Sequence, residues 1–340
     1  MPIPVLTRHQ RAVDDFLQSM VSGRHPPLLD RMLRYHLGWQ DADGSPADNK
    51  GKALRPSLCL LACEAAGGDW NRAVPVATAV ELVHNFSLVH DDIQDRDEVR
   101  HHRATVWSIW GEAQAINAGD ALLALARLAA LRSVEVGVSA DTTLEAARVL
   151  DARTLEMVEG QVMDLEYEGG AEIDVAAYLR MIEKKTGALF DCALSLGGLM
   201  AGASTNAVER LGRCGRLLGL TFQIRDDILG IWGDEANTGK TSGADIRRRK
   251  KSLPIVYALN GSDGAVRDSI RRVYTSETVS DDGLADVLSA LDKVNARAYC
   301  TEIADEKRAE AISELGHAGL SGPAADELRE AAQFLLDREF

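Results

Sequence analysis

Apolar residues recur at three- and four-residue intervals in one segment after another, and clusters of Gly, Pro, Asn, Asp and Ser separate the segments. That period predicts helices over 7–22, 26–37, 53–66, 71–95, 115–136, 141–166 and 174–202, the last broken at Thr186 and Gly187. Further helices are predicted over 205–232, 253–260, 264–274, 281–315 with breaks of unfixed position, and 323–337. Val-rich alternation is absent, so no strand is predicted, and no long Pro- or Ser-rich linker divides the chain. The pattern predicts a single all-α domain spanning 1–340, a bundle of helices. Two polar stretches, 40–51 and 234–251, read as loops, and each brings lysines close to an otherwise acidic helix.

Composition narrows the function classes. A hydrophobic fraction of 46% over 340 residues supports a sizeable core, and only 5% is aromatic while Ala and Leu recur throughout, which favours helix. Lys and Arg number 38 against 52 Asp and Glu, a formal charge of −14, so the electrostatic footprint of a nucleic-acid binder is missing. Five cysteines without a CxxC pair fit thiols in a reducing compartment better than a disulfide framework. The opening MPIPVLTRHQRAVDDF has neither a charged n-region nor an apolar h-region, and the most apolar run, 121–131, carries Arg127 and is too short to span a bilayer. A cytoplasmic protein without a transmembrane segment is expected.

Two acidic clusters carry the candidate chemistry. LVHDDIQDRD holds Asp91, Asp92 and Asp95, and FQIRDDILGIWGD holds Asp226 and Asp227. Carboxylates gathered this tightly repel one another unless a cation neutralises them. On a helix Asp91 and Asp95 stand one turn apart on one face, and His84 lies two turns before Asp91 on that face. Such all-oxygen donors suit Mg²⁺ better than Zn²⁺. Facing one another across a bundle, the clusters would cage several divalent ions. An anion would then complete the cage, and Lys52, Arg55, Arg100, Lys185, Lys240 and Lys250 offer the cationic grip that diphosphate needs. Gln161 and Asp164 share a helix face and could orient metal-bound water or cap a helix pair.

The EF-hand pattern fails, since DIQDRDEVRHHR lacks Gly at its sixth position and Glu at its twelfth. GDEANTGKTS fails as a phosphate-binding P-loop, because five residues separate Gly233 from Gly239 and a helix precedes it. GxSxG, HExxH and GxGxxG do not occur.

The ordered set GKxxRP at 51–56, DDxxD at 91–95, GQxxDL at 160–165, KTG at 185–187, FQxxDD at 222–227, TGK at 238–240 and the basic run ending at Lys250 and Lys251 resembles the trans-isoprenyl diphosphate synthases, the polyprenyl synthetase family. The resemblance runs nearly end to end. It implies long helices around a deep central cavity, a homodimer, and a prenyltransferase that joins isopentenyl diphosphate to allylic prenyl diphosphates. It further implies that Asp91, Asp95 and Asp226 bind three Mg²⁺ ions, supported by Asp92 and Asp227. Arg100, Lys185 and Lys240 would hold the allylic diphosphate, and Lys52, Arg55, His84 and His101 the isopentenyl diphosphate, with Thr186, Gln223 and Lys250 also assigned to substrate.

Three departures accompany the resemblance. Where the family commonly reads Arg-Arg-Gly, this chain reads Arg100, His101, His102, and Ala104 replaces the Pro expected next. His101 offers one hydrogen bond where guanidinium offers a fork, which predicts weaker or pH-dependent binding of isopentenyl diphosphate. Gly230 removes the last Asp of the second motif. Phe86 and Ser87, five and four positions before Asp91, match the pattern of synthases with a twenty-carbon product, and a fifteen-carbon product is next in line. Two other functions compete: a terpene cyclase-like lyase, favoured by His101 but opposed by Lys52, Arg55 and His84, and a non-catalytic partner subunit, opposed by the retained Asp residues.

Overall fold

The structure is a computed structural model that describes residues 4–51, 53–168, 173–233, 242–261 and 263–336. In chain order the helices are α1 (Gln10–Val21), α2 (Pro27–His36), α3 (Leu54–Ala65), α4 (Val74–Gln94), α5 (Val106–Trp110), α6 (Glu112–Leu131), α7 (Ala140–Glu168) and α8 (Val175–Ile182). They continue as α9 (Ala188–Ala201), α10 (Thr205–Trp232), α11 (Ala244–Arg247), α12 (Leu253–Asn260), α13 (Gly264–Tyr274), α14 (Asp281–Lys293), α15 (Ala296–His317) and α16 (Pro323–Leu336). Local chemistry sets many of the boundaries. Prolines occupy the first turns of α2, α4 and α12, where a missing N–H costs nothing. Asp174, Asp263 and Ser280 cap α8, α13 and α14 by accepting backbone N–H groups.

Contacts divide the chain into two compact units. Unit 1 comprises Met1–Thr154, Cys192–Gly212 and Ala318–Ala331; unit 2 comprises Leu155–Asp191, Arg213–His317 and Ala332–Phe340. Within unit 1, α4 is buried on nearly every side from Val74 to Val83, and it packs chiefly on α6 and α3. A Cβ at Gly197 would come within 2.2 Å of the Cys59 carbonyl oxygen, so only Gly lets the second half of α9 lie against α3. Within unit 2, one apolar cluster joins Ile231, Ile255, Ile270 and Leu291. A second joins Tyr178, Ile182, Ile224, Leu253 and Cys300. The short α12 packs against both α8 and α15, which anchors the end of the second acidic segment.

The helical pattern is the one the apolar spacing predicts, with three differences. The break at Thr186 and Gly187 is a π-helical turn, Glu183–Gly187, rather than an interruption. The stretch 281–315 divides at Asn295, whose φ of 52° no helix continues through. Among the described residues α5, α11, inside the basic stretch, and a two-stranded ladder, β1 (Val99–Arg100) with β2 (Arg103–Ala104), escape the pattern altogether. Among the described residues no helix is long and apolar enough to cross a membrane. All five cysteines are buried, and none is in a disulfide.

Candidate active site

The first acidic segment ends α4 in unit 1. Asp91 and Asp95 lie one turn apart, and the Asp95 N–H donates to the Asp91 carbonyl at 2.8 Å. Asp92 turns into the protein, where its carboxylate accepts from Arg100 Nε at 2.6 Å with only 3% of its side chain exposed. Burial raises the Asp92 pKa, and Arg100 opposes that rise. Arg100 is aimed by the β1–β2 ladder, whose tip is His101 and His102 with φ of 49° and 62°. Two central residues of positive φ make the tight hairpin turn that matches strand twist. Arg103 staples this hairpin to α2, stacking 4.3 Å over the Tyr35 ring and donating to the carbonyls of Tyr35 and Gln40.

Basic groups crowd the same unit. Arg55, in the first turn of α3, is drawn down to about 10 by burial, while Glu81 favours its charge. His84 is pushed well below the usual imidazole range, first by burial and then by Arg55, Arg100, His36 and His101. His36 is held at about 4 by burial and by Arg100, against acceptors on Asn85. Burial does most to discharge these two imidazoles, and the arginine charges that add to it are charges that attract an anion. Arg55, His84, Arg100 and His101 are sequence candidates that the structure brings together, and His36 and Glu81, single residues without motif spacing, join them only in the structure.

The second segment lies on α10 in unit 2. Asp227 is fully buried and accepts from Tyr178 Oη at 2.5 Å, the Leu253 N–H at 3.1 Å and Gln223 Nε2 at 3.3 Å, with Lys250 Nζ 4.0 Å away. Thr186 Oγ1 donates to Gln223 Oε1 at 3.0 Å, so Thr186 and Gln223 form a relay that orients Asp227. Burial lifts Asp227 to about 6, against the pull of Lys250, Tyr178 and the Leu253 N–H. Burial disfavours the Lys250 ammonium, yet Asp227, Asp245, Asp226 and Asp164 outweigh it and raise its pKa. Asp226, one position along α10, is half-buried beside this anchored core.

Lys185 sits on the π-turn and donates to Asp164 at 2.5 Å. Close approach fixes that turn: a Cβ at Gly160 would lie 2.3 Å from the Lys185 nitrogen, and one at Gly219 would lie 2.7 Å from the Gly187 Cα. Gln161 stands half-buried on α7, one turn before Asp164. Gly230 has a structural reason as well. A Cβ there would lie 2.1 Å from Asp245 Oδ2, so the buried Asp245 carboxylate fills the space a motif side chain would need. Lys52 and Lys240 lie outside the described residues.

Comparison with protein families matches residues 45–291 to the polyprenyl synthetases. The chain belongs to the polyprenyl synthetase family. Among curated relatives of this synthetase, the (2E,6E)-farnesyl diphosphate synthase of Mycobacterium tuberculosis is 39% identical over 99% of this chain and 93% of that protein. A geranylgeranyl diphosphate synthase of the same organism is 41% identical over 92% of this chain and 88% of that protein. Among solved structures, the polyprenyl synthetase of Streptomyces coelicolor A3(2) superposes with a TM-score of 0.90 at 37% identity, covering 97% of this chain and 98% of that one. The geranylgeranyl pyrophosphate synthetase of Pyrococcus horikoshii gives 0.88 at 31% identity, covering 98% and 97%.

The synthetase's donors fit Mg²⁺ in a particular way. Among the described residues no three His, Cys, Asp or Glu side chains gather closely enough to hold a metal ion on their own. Mg²⁺ keeps several waters and takes one or two carboxylates together with substrate phosphates, a demand that a carboxylate pair one turn apart, such as Asp91 and Asp95, fits.

Proposed function

We propose that the protein condenses isopentenyl diphosphate head-to-tail with allylic prenyl diphosphates and releases diphosphate, with geranylgeranyl diphosphate the favoured product and farnesyl diphosphate the next. The observation that carries this reading is the gathering of basic groups in unit 1, where a buried His84, kept neutral first by its burial, feels the charges of Arg55 and Arg100. A lyase that ionises one prenyl diphosphate has no use for a second diphosphate site, whereas an elongating enzyme requires one.

We assign Mg²⁺, three ions in all, to Asp91, Asp95 and Asp226. When bound, Mg²⁺ neutralises the charge that builds on the departing diphosphate. Lys185, held by Asp164, and Lys250, hemmed by carboxylates, add fixed positive charge for the same group. Breaking the allylic C–O bond leaves a delocalised cation. The isopentenyl double bond attacks it, forming the new C–C bond, and the resulting cation loses a proton to the released diphosphate. No side chain acts as a nucleophile. Arg55, neutral His84 and His101 bind and orient the isopentenyl diphosphate, which sets the attacking bond within reach, and Arg100 joins Lys185 on the allylic diphosphate.

Residues 1–340 act as one functional domain in this reading, since the family match over 45–291 runs through both units. A homodimer accounts for an apolar surface: Ile116, Leu128 and Leu131 on α6 and Leu144, Leu155, Val158 and Val162 on α7 are all more than a third exposed. On α7 the intervals of eleven, three and four residues set these side chains in one stripe, the pattern of a helix that meets another. Five buried cysteines outside any disulfide support the cytoplasm. The test incubates purified protein and Mg²⁺ with labelled isopentenyl diphosphate and dimethylallyl, geranyl or farnesyl diphosphate. Label in a twenty-carbon diphosphate is the predicted result; no incorporation with any primer contradicts the reading.

A further inference from the structure

A wedge in unit 1 lies behind the residue assigned to chain length. Phe86 and His90 are one turn apart on α4, and their rings meet edge-on with centroids 4.9 Å apart and an interplanar angle of 70°. On the far side of His90 stands α6. His90 Nε2 lies 3.3 Å from the Ile116 carbonyl oxygen, which can only accept, so the imidazole carries its proton on Nε2 and donates it there. Asp120 Oδ1 is 3.8 Å from the same nitrogen. Gly119 completes the slot: a Cβ at that position would lie 2.2 Å from His90 Nε2 and 2.3 Å from Cδ2. These distances are far inside van der Waals contact, so the slot exists only because residue 119 has no side chain.

We infer that His90, seated against Gly119, is a specificity-determining residue that braces the Phe86 ring and thereby fixes where chain growth stops. The inference rests on the reading of Phe86 as the floor of the product cavity. Phe86 keeps 8% of its surface exposed and has freedom about two side-chain torsions, so its position depends on what backs it. An edge-on contact between rings adds a directional attraction beyond area burial. Such a brace biases which rotamer the floor adopts, and it acts on product length without touching the reacting atoms.

The experiment compares product lengths, sized chromatographically after labelling, for wild type, Phe86→Ala, His90→Ala, Gly119→Ala and the double variant His90→Ala/Gly119→Ala. Phe86→Ala tests the floor itself and is expected to extend the longest product by at least one five-carbon unit. His90→Ala is expected to move the endpoint the same way, by opening space into which the Phe86 ring swings, with KM for isopentenyl diphosphate changed less than twofold. Gly119→Ala is expected to alter the product distribution only while His90 is present, because the clash needs both partners. An endpoint that lengthens in Phe86→Ala but is unchanged in His90→Ala overturns the inference and leaves the floor reading standing. An unchanged endpoint in Phe86→Ala overturns both.

Discussion

Replacing Tyr178 by Phe removes one hydrogen bond from the most buried carboxylate of the site and leaves the ring volume in place, so the lost bond is the whole perturbation. Asp227 accepts from three donors, and the Tyr178 hydroxyl is the nearest at 2.5 Å. The Asp227 side chain has no exposed surface, so water does not take the hydroxyl's place. A hydrogen bond to a buried charged group contributes about 1.5–3 kcal/mol, and that range is the expected loss above pH 7. The pH dependence follows from the sign of the shift. Burial raises Asp227 from 3.8 to about 6, and the folded chain therefore binds this proton more tightly than the unfolded one. This group's contribution to stability falls as pH rises from about 4 through about 6 and is lowest above that window. The Tyr178 hydroxyl favours the carboxylate, so its removal matters most above pH 6 and fades below it as Asp227 takes up its proton. Urea unfolding of both proteins at pH 8 and pH 5 measures the difference. A deficit equal at the two pH values, or below about 0.5 kcal/mol at pH 8, would falsify the role assigned to this bond.

Three further substitutions test neighbouring parts of the structure. His102→Gly places Gly at a φ of 62° and is expected to stabilise the protein by ~1 kcal/mol in urea unfolding; an unchanged midpoint would remove the strain argument for the hairpin. Gly230→Ala sets a Cβ 2.1 Å from Asp245 Oδ2 and is expected to cost ~1–3 kcal/mol, recovered in large part by adding Asp245→Ala, whereas equal midpoints in the single and double variants would place the cost elsewhere. His101→Arg restores a forked donor at the hairpin tip. It is expected to lower KM for isopentenyl diphosphate by about tenfold, the effect of one added charge-assisted bond, and a shift confined to the allylic substrate would reassign position 101.

Regular spacing explains what the sequence revealed. The α4, α7 and α10 helices carry apolar residues at helical intervals over five or more turns, and their motifs sit on those faces, so Asp91, Asp95, Asp164 and Asp226 were legible together. The π-turn is visible as a break because Thr186 and Gly187, after the charged Glu183, Lys184 and Lys185, separate two apolar runs. The β1–β2 ladder was not, since strands of two residues are too short to display alternation, and the turn between them uses His where Gly would have signalled positive φ. Tyr178 belongs to no motif, and its hydroxyl's partner lies 49 residues away, so nothing local in the sequence signals the pair. Asp245 fell within a basic stretch that read as loop, so its fit against Gly230 appears only once α10 and α11 are in contact. Gly230 looked like a missing ligand in the sequence; in the structure it is the condition for burying Asp245.

The central claim is that carbon–oxygen cleavage serves addition of a second substrate. Diphosphate release from geranyl diphosphate and Mg²⁺, measured with and without isopentenyl diphosphate, tests it most directly. The account predicts release that depends on isopentenyl diphosphate and equals the number of five-carbon units added to product. Rapid release from geranyl diphosphate alone, with isopentenyl diphosphate neither accelerating it nor entering the product, would contradict it.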